Sequence, residues 1–277
     1  MRLTVLLALL ALTLPAIAQE TTHSRPASDA LVAGVAAFKA GHYDEATRDF
    51  QAAVDAEPTW HTARLYLGTA LSYQVIPNLD TPENIAVANR ALDQFSQVLA
   101  SDPQNLNALR QIAAIQRNIK RLDEAVDTER KILALDPTDA EAHYTIGAID
   151  WTRAYKFTVA TLANDSLADD GVGNTRMSAA SCTALMSRNT PIVDDGIAEL
   201  TRAVELRPGY DDAMQYLNLT YRLRASLDCR DPAQRKQDLA TAGDWVRRAT
   251  DARRANEAQR EQQVSTPTSS LKASDRP

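Results

Sequence analysis

The segment Ile132-Leu133-Ala134-Leu135-Asp136-Pro137 is one of four similar stretches, each an apolar run that ends in a charged residue followed by proline. The other three end at Pro58, Pro103 and Pro208. The prolines are separated by 45, 34 and 71 positions, which a 34-residue repeat explains if one unit carries 11 extra residues and another carries 37. Because proline cannot continue a helix, each stretch predicts the end of a helix and the boundary of a repeat.

The first repeat shows why each unit should fold as two helices. Gly34 and Ala46 are small residues at the point where the two helices would cross, and Gly41 precedes Tyr43 in the predicted turn between them. Phe50 and Ala53, on the second helix, share one face, which we expect to pack against the next unit. The pattern therefore predicts stacked helix-turn-helix units.

These residues and spacings resemble the tetratricopeptide repeat (TPR) family over most of residues 27 to 250. The resemblance implies an all-α fold, a right-handed TPR α-solenoid of about five helix-turn-helix units with insertions and a C-terminal capping helix. The units are expected at about 27–60, 61–104, 106–139, 140–209 and 211–250, within a solenoid of residues 29–263. Insertions are expected at 74–83, 155–191 and 226–232, the second of them loosening into a loop and a separate short helix at 177–187. An unrelated helical bundle is the alternative.

The composition agrees with close-packed helices and excludes other classes. The chain has 47 Ala but 9 Gly, and only 5% of its residues are aromatic, which disfavours an all-β fold or a Gly-rich nucleotide-binding fold. Its 30 Lys and Arg against 36 Asp and Glu give a net charge of −6. A general nucleic-acid binder would need the opposite sign, so no nucleic-acid partner is expected.

The N-terminus has the pattern of a secretory signal peptide. A basic Arg2 precedes an apolar run at 3–14, and Ala16-Ile17-Ala18 is a typical cleavage site. We therefore predict a signal peptide at 1–18 cleaved after Ala18, a flexible leader at 19–28, and a periplasmic or secreted protein. No later apolar run is long enough for membrane insertion. A buried helix or a membrane anchor is the alternative, and 264–277 is expected to be a disordered tail.

Export changes the expectation for the two cysteines, Cys182 and Cys229. In an oxidising compartment they are a candidate disulfide, which would stabilise the fold by about 4 kcal/mol in the chain-entropy model. Two free buried thiols are the alternative. Neither cysteine belongs to a C-x-x-C motif, so no zinc or redox site is expected.

Motifs for catalysis are absent from the sequence. It contains no H-E-x-x-H, no G-x-S-x-G and no phosphate-binding loop of the G-x-x-x-x-G-K-[ST] type. The acidic residues Asp165, Asp169 and Asp170 do not have the spacing of a calcium loop. We therefore expect a protein that is not an enzyme, with no cofactor and no bound metal.

The TPR resemblance also implies where a partner would bind. In that family, four positions of the first helix of each unit line an inner groove for partner peptides. The resemblance places six candidate groove residues there: Arg110, Arg117, Tyr144, Trp151, Gln215 and Arg222. Arginine and aromatic residues dominate binding energy at interfaces. The expected function is thus a non-catalytic protein–protein interaction scaffold or adaptor of the cell envelope or exterior. The alternative is a pocket for a small molecule, glycan or metal in the 155–191 insertion.

Overall fold

The computed structural model describes residues 23–265, and this part of the chain is built from helices alone. Ten α-helices occur in it: α1 (Arg25–Lys39), α2 (Tyr43–Ala56), α3 (His61–Ser72), α4 (Pro82–Ser101), α5 (Leu106–Asn118), α6 (Leu122–Leu135), α7 (Ala140–Asn164), α8 (Ala179–Leu206), α9 (Asp211–Leu227) and α10 (Pro232–Ser265). The predicted signal peptide, and the tail from residue 266 onward, lie outside the described residues. The described residues divide into two compact units, 23–67 and 68–265.

In the first unit, α1 crosses α2 where glycine removes a side chain. A Cβ on Gly34 would lie 2.5 Å from Cδ1 of Phe50, which is fully buried, so the two helices approach as closely as they do because this position has no side chain. Gly41, with φ of +79°, makes the turn between the helices.

Helix α1 begins at Arg25, inside the stretch 19–28 that the sequence predicted to be a flexible leader. The side chain of Ser24 accepts a hydrogen bond from the amide of Ala27, and Pro26 occupies the first turn, which together start the helix at Arg25. His23 Nδ1 lies 2.6 Å from Glu57 Oε2 and its ring stacks on Trp60. Residues 23–28 are therefore ordered by the end of α2, and the predicted leader is wrong for them.

In the second unit the same crossing recurs between α3 and α4 and between α7 and α8. A Cβ on Gly68 would lie 2.8 Å from Cζ of Phe95, and one on Gly147 would meet the side chain of Leu200. Around α7, α8 and α9 the core is a continuous cluster that includes Leu185, Leu217 and other buried residues. The small residues of the sequence pattern are thus the contact points of paired helices.

The four closing stretches adopt one backbone conformation. The residue before each proline, Glu57, Asp102, Asp136 or Arg207, has φ between −139° and −132° and ψ between 81° and 87°. This non-helical geometry lies outside the α region, which a following proline disfavours for the residue before it. In every case its carbonyl then accepts a hydrogen bond from the amide three residues later, at 2.9–3.2 Å. The repeat read from the sequence is therefore a repeat of structure.

The large insertion is mostly helical extension. Helix α7 continues to Asn164, and α8 runs without interruption from Ala179 through Pro191 to Leu206, so the predicted separate helix at 177–187 is wrong. The buried Asn189 donates to the carbonyl of Ala154 and to Thr158 Oγ1, both at 2.9 Å, and holds the two extensions together. No helix among residues 23–265 is long and apolar enough to cross a membrane.

Candidate functional site

Three successive first helices, α5, α7 and α9, are linked by side chains on one face. We call this the α5–α7–α9 face and define it by Arg110, Arg117, Tyr144, Trp151 and Tyr216. The face carries four of the six residues predicted to line a groove.

The two arginines of α5 reach across to α7. Arg110 Nη2 lies 2.7 Å from Asp139 Oδ2, while the other oxygen of Asp139 accepts the amides of Glu141 and Ala142 and so caps α7. Burial alone would raise the pKa of Asp139, but Arg110 and the two amides outweigh it and the pKa is lowered. Arg117 Nη1 donates to Thr145 Oγ1 at 3.1 Å. The two guanidinium groups are therefore held in fixed directions by groups at the start of α7.

Aromatic rings continue the face from α7 to α9. The ring centroid of Tyr144 lies 4.9 Å from that of Tyr210 and 5.7 Å from that of Tyr216, which also meets Trp151 edge-on at 5.6 Å. Trp151 stacks on Tyr155 at 4.9 Å. Burial, with Tyr216, Asp212 and Glu141 nearby, raises the pKa of Tyr144 to about 12, so its hydroxyl stays protonated. Five rings thus form one partly exposed aromatic cluster.

Sequence reasoning had not placed three of these rings, Tyr155, Tyr210 and Tyr216, at the site. Tyr210 lies in the turn before α9 rather than at a groove position, and its hydroxyl donates to Glu141 Oε2 at 2.6 Å. Burial and this carboxylate raise the pKa of Tyr210. The local sequence shows only that Tyr210 directly follows the closing Pro208-Gly209; its contact with the start of α7 arises from packing.

The remaining two predicted residues do not join the aromatic cluster. Arg222 donates to Asn218 Oδ1 at 2.9 Å and to the carbonyl of Gly171 at 3.0 Å, so it fastens the loop at 165–178 to α9. Gln215 is half-buried on α9, and within residues 23–265 its side chain makes no hydrogen bond. Their assignment to a partner-binding surface stays a prediction.

A buried carboxylate that the sequence reading overlooked, Glu129 of α6, interacts electrostatically with two arginines of the α5–α7–α9 face. Its exposure is 7%, and it forms no ion pair with any residue that the structure describes. Burial raises its pKa to about 7; Arg117 and Arg110 oppose the shift, and Asp139 and Glu141 add to it. All four of these neighbours belong to the edge where α5 meets α7. The carboxylate is therefore adjacent to the candidate binding surface.

The disulfide expected from the sequence is present, and one of its two cysteines lies in the 155–191 insertion. Cys182 and Cys229 are joined, with their Cα atoms 6.2 Å apart, and the bridge ties the start of α8 to the connection between α9 and α10. Beside it Arg230 Nη2 donates to Thr183 Oγ1 at 2.7 Å. The second half of the molecule is thereby cross-linked at one end of its helices.

In the acidic loop at 165–178, the carboxylates accept hydrogen bonds from backbone amides of the loop itself. Asp169 accepts the amide of Gly171, Asp170 accepts those of Val172 and Asn174, and Asp165 accepts that of Ser178. Among the described residues, no group of three or more His, Cys, Asp or Glu could hold a metal ion. A ligand pocket in the 155–191 insertion stays a prediction without a structural observation to favour it.

Comparison with known proteins identifies the fold. No protein-family model matches the chain, and no curated protein matches it. Residues 41 to the end of MamA from Desulfovibrio magneticus RS-1 match at a TM-score of 0.55 and 18% identity, covering 84% of this chain and 98% of that one. A second MamA structure matches at a TM-score of 0.57 and 15% identity, over 84% of this chain and 94% of that one.

A third solved structure, YrrB, is described as a TPR protein with an unusual peptide-binding site. It matches at a TM-score of 0.50 and 14% identity, over 83% of this chain and 92% of its own. MamA and YrrB are both TPR-repeat proteins, and at these identities the likeness concerns the fold. The chain is therefore an all-α protein with the fold of a TPR α-solenoid, as its repeated closures predicted.

Proposed function

We propose that this protein is a non-catalytic interaction scaffold that holds a segment of a protein partner against the α5–α7–α9 face. The observation that carries the proposal is the aromatic cluster of Tyr144, Trp151 and Tyr216, partly exposed and flanked by two oriented arginines. Rings and guanidinium groups held in place lose little entropy on binding, and these residue types supply most of the energy at protein interfaces.

The fold supports the proposal because TPR-type helices present such a face without needing a loop to order. Arg110 and Arg117 are fixed through Asp139 and Thr145, so their remaining N–H donors are available to carbonyl or carboxylate groups of a partner. YrrB, which shares the fold, is described as having a peptide-binding site. A bound peptide is thus the occupant that suits this architecture.

We place the protein in the cell envelope or outside the cell. The Cys182–Cys229 disulfide supports this location, because such bridges persist in oxidising compartments. The apolar segment at 3–14 followed by Ala16-Ile17-Ala18 supports it independently. N-terminal sequencing of the protein recovered from cells should begin at Gln19; recovery of an intact Met1 terminus would contradict export by cleavage.

The binding proposal is tested by replacing the face as a whole. In the variant Arg110→Gln, Arg117→Gln, Tyr144→Ala, Trp151→Ala, partners captured by crosslinking in the envelope fraction and quantified by mass spectrometry should be lost. The matched control is Arg90→Gln, Lys131→Gln, Arg202→Gln, which removes three exposed cations from second helices. An unchanged set of partners in the face variant would show that binding occurs elsewhere.

A further inference from the structure

We infer that Glu129 is a recognition group that pairs with a lysine or arginine side chain of the bound partner segment. The inference rests on the proposed function, because it names the chemistry that the α5–α7–α9 face selects. It begins with a position at which this repeat differs from the others.

Three other repeats have a large apolar residue where the third has Glu129. Phe50, Phe95 and Leu200 each pack on the glycine of the preceding helix, Gly34, Gly68 and Gly147. Phe50 follows its glycine by 16 positions, and the larger separations of the other two pairs differ from 16 by the 11 and 37 inserted residues. Glu129 follows Ala113, the corresponding small residue, by 16 positions. A carboxyl group therefore replaces the apolar core residue in this one repeat.

Nothing among the described residues satisfies this carboxyl group. It is more than nine-tenths buried and has no ion pair, although the arginines nearby are engaged: Arg110 pairs with Asp139, and Arg117 donates to Thr145. A largely buried carboxyl group without a protein partner is costly to the fold, and the oxygens of Glu129, which are not fully enclosed, are open to a donor from outside the chain. The cost is offset if a bound ligand supplies the missing donor.

The local charge balance selects the sign of that donor. The charged groups that act electrostatically on Glu129 are Arg110 and Arg117 from α5, Asp139 at the start of α7 and Glu141 within α7. Arg110 pairs with Asp139 and Arg207 lies 3.6 Å from Glu141, so an ionised Glu129 is the carboxylate of this set that has no cation partner among the described residues. A cationic side chain of the partner neutralises it, whereas a neutral donor does not. The rings of Tyr144 and Trp151 on the same face can receive the stem and charge of such a side chain.

The test uses a phage-displayed library of random peptides, panned at pH 8 on the oxidised mature chain and on its Glu129→Gln variant. The wild-type pool should carry Lys or Arg at one fixed position, and the Glu129→Gln pool should not. A selected peptide should bind Glu129→Gln at least about tenfold more weakly, and so should the same peptide with its cation replaced by Met bind the wild type. Combining both changes should cost no more than either alone.

A pH series distinguishes direct recognition by Glu129 from a structural role, because a structural role would not make the affinity for the peptide follow the ionisation of Glu129. Because only the ionised form pairs with a cation and the pKa of Glu129 in the free protein is about 7, wild-type affinity should fall about tenfold from pH 8 to pH 6. Glu129→Gln should show no such fall. Glu129→Met, of similar size but apolar, keeps the fold and should also lose the selection of cations.

The outcomes separate the two proposals. Peptides that need the intact face but show no cation, or that bind Glu129→Gln equally well, would overturn the role of Glu129 and leave the proposed function standing. If panning enriches no peptide, or only peptides that bind the four-residue face variant as well as the wild type, the proposed function fails and the inference fails with it.

Discussion

In other repeats the position equivalent to Glu129 is occupied by an apolar residue that packs on the preceding helix. At Glu129 the chain therefore departs from its own repeat pattern. Sequence reasoning assigned the second helix of each unit to packing, so a carboxyl group there went unnoticed, although its spacing of 16 from Ala113 matches that of Phe50 from Gly34. Which side chains surround it depends on the approach of α5 to α7. That approach is a property of three-dimensional packing and cannot be read from a linear pattern.

Removing the charge of Glu129 should stabilise the protein at alkaline pH. Its folded pKa, about 7, lies above the unfolded value, so the folded state holds a proton that the unfolded state has lost, and stability falls as pH rises from about 4.5 to 7. Glu129→Gln should therefore raise the free energy of unfolding at pH 8 by up to about 3 kcal/mol and leave it unchanged at pH 4. Urea unfolding at both pH values measures this; an equal effect at each would contradict the assignment.

Replacing glycine with alanine should have opposite effects on stability at a helix crossing and at an open helical position. Gly147→Ala introduces a Cβ against Leu200 and 2.9 Å from the carbonyl of Gly196, which should destabilise the fold by about 1–3 kcal/mol. Gly243→Ala, inside α10 with no atom within 4 Å of the new Cβ, should instead stabilise it by about 0.5–1 kcal/mol. Thermal unfolding followed by circular dichroism compares the two. The crossing role of Gly147 is refuted if both variants shift in the same direction.

At the scale of elements, the insertion shows what a sequence pattern cannot decide. Pro191 and the polar stretch before it predicted a break and a separate helix, yet α8 is continuous. Asn189, itself fully buried, bonds to Ala154 and Thr158 on α7, and tertiary packing of this kind outweighs the local preference of proline to end a helix. Those partners lie 35 and 31 positions away, beyond the reach of any local rule.

One of the ion pairs that join α9 to α10 has a buried carboxylate. Arg224 donates from Nε and Nη2 to both oxygens of Asp238, each at 2.7 Å, and the side chain of Asp238 is 1% exposed. Asp238→Asn leaves a partly buried guanidinium unpaired, which should cost about 3 kcal/mol. The exposed Asp251 of the same helix is the control, and Asp251→Asn should change stability by less than about 0.5 kcal/mol.

Hydrogen–deuterium exchange measures the Asp238 prediction directly. Amides of α9 and α10 should exchange faster in Asp238→Asn, and those of α1 and α2, which belong to the other compact unit, should be unaffected. Uniformly faster exchange across the chain would show that the pair acts on the whole fold rather than on this helix pair.

For the whole molecule, the sequence predicted the architecture more fully than the site. Small residues such as Gly34 and Gly147 and the closing prolines specify the TPR-type fold because each acts through near neighbours in its own repeat. The site combines helices from three repeats. Arg117 and Tyr144 were expected on one surface, but Tyr210 and Glu129 were not, and the contact of Arg222 with Gly171 spans 51 positions. Long-range side-chain contacts are set by how the repeats stack.

The disulfide should stabilise only the part of the molecule that it links. Reducing Cys182–Cys229, or replacing both with Ser, should cost about 2–4 kcal/mol in the stability of α8 to α10, since the open loop regains entropy in the unfolded chain. Exchange should accelerate at 179–190 and 226–232 and stay constant in α1 and α2. Protection that is unchanged at 179–190 after reduction would show that the bridge adds nothing to packing already present.

In the turns that close four repeats, the residue before proline has nearly the same φ and ψ and accepts the same hydrogen bond, so the repeat boundaries have matching local geometry. Residues 104–137 form a 34-residue cassette bounded by two such turns, so a second copy spliced after Pro137 would join ends of matching geometry. Recombination between these boundaries can lengthen or shorten the protein by whole units without creating a new kind of junction.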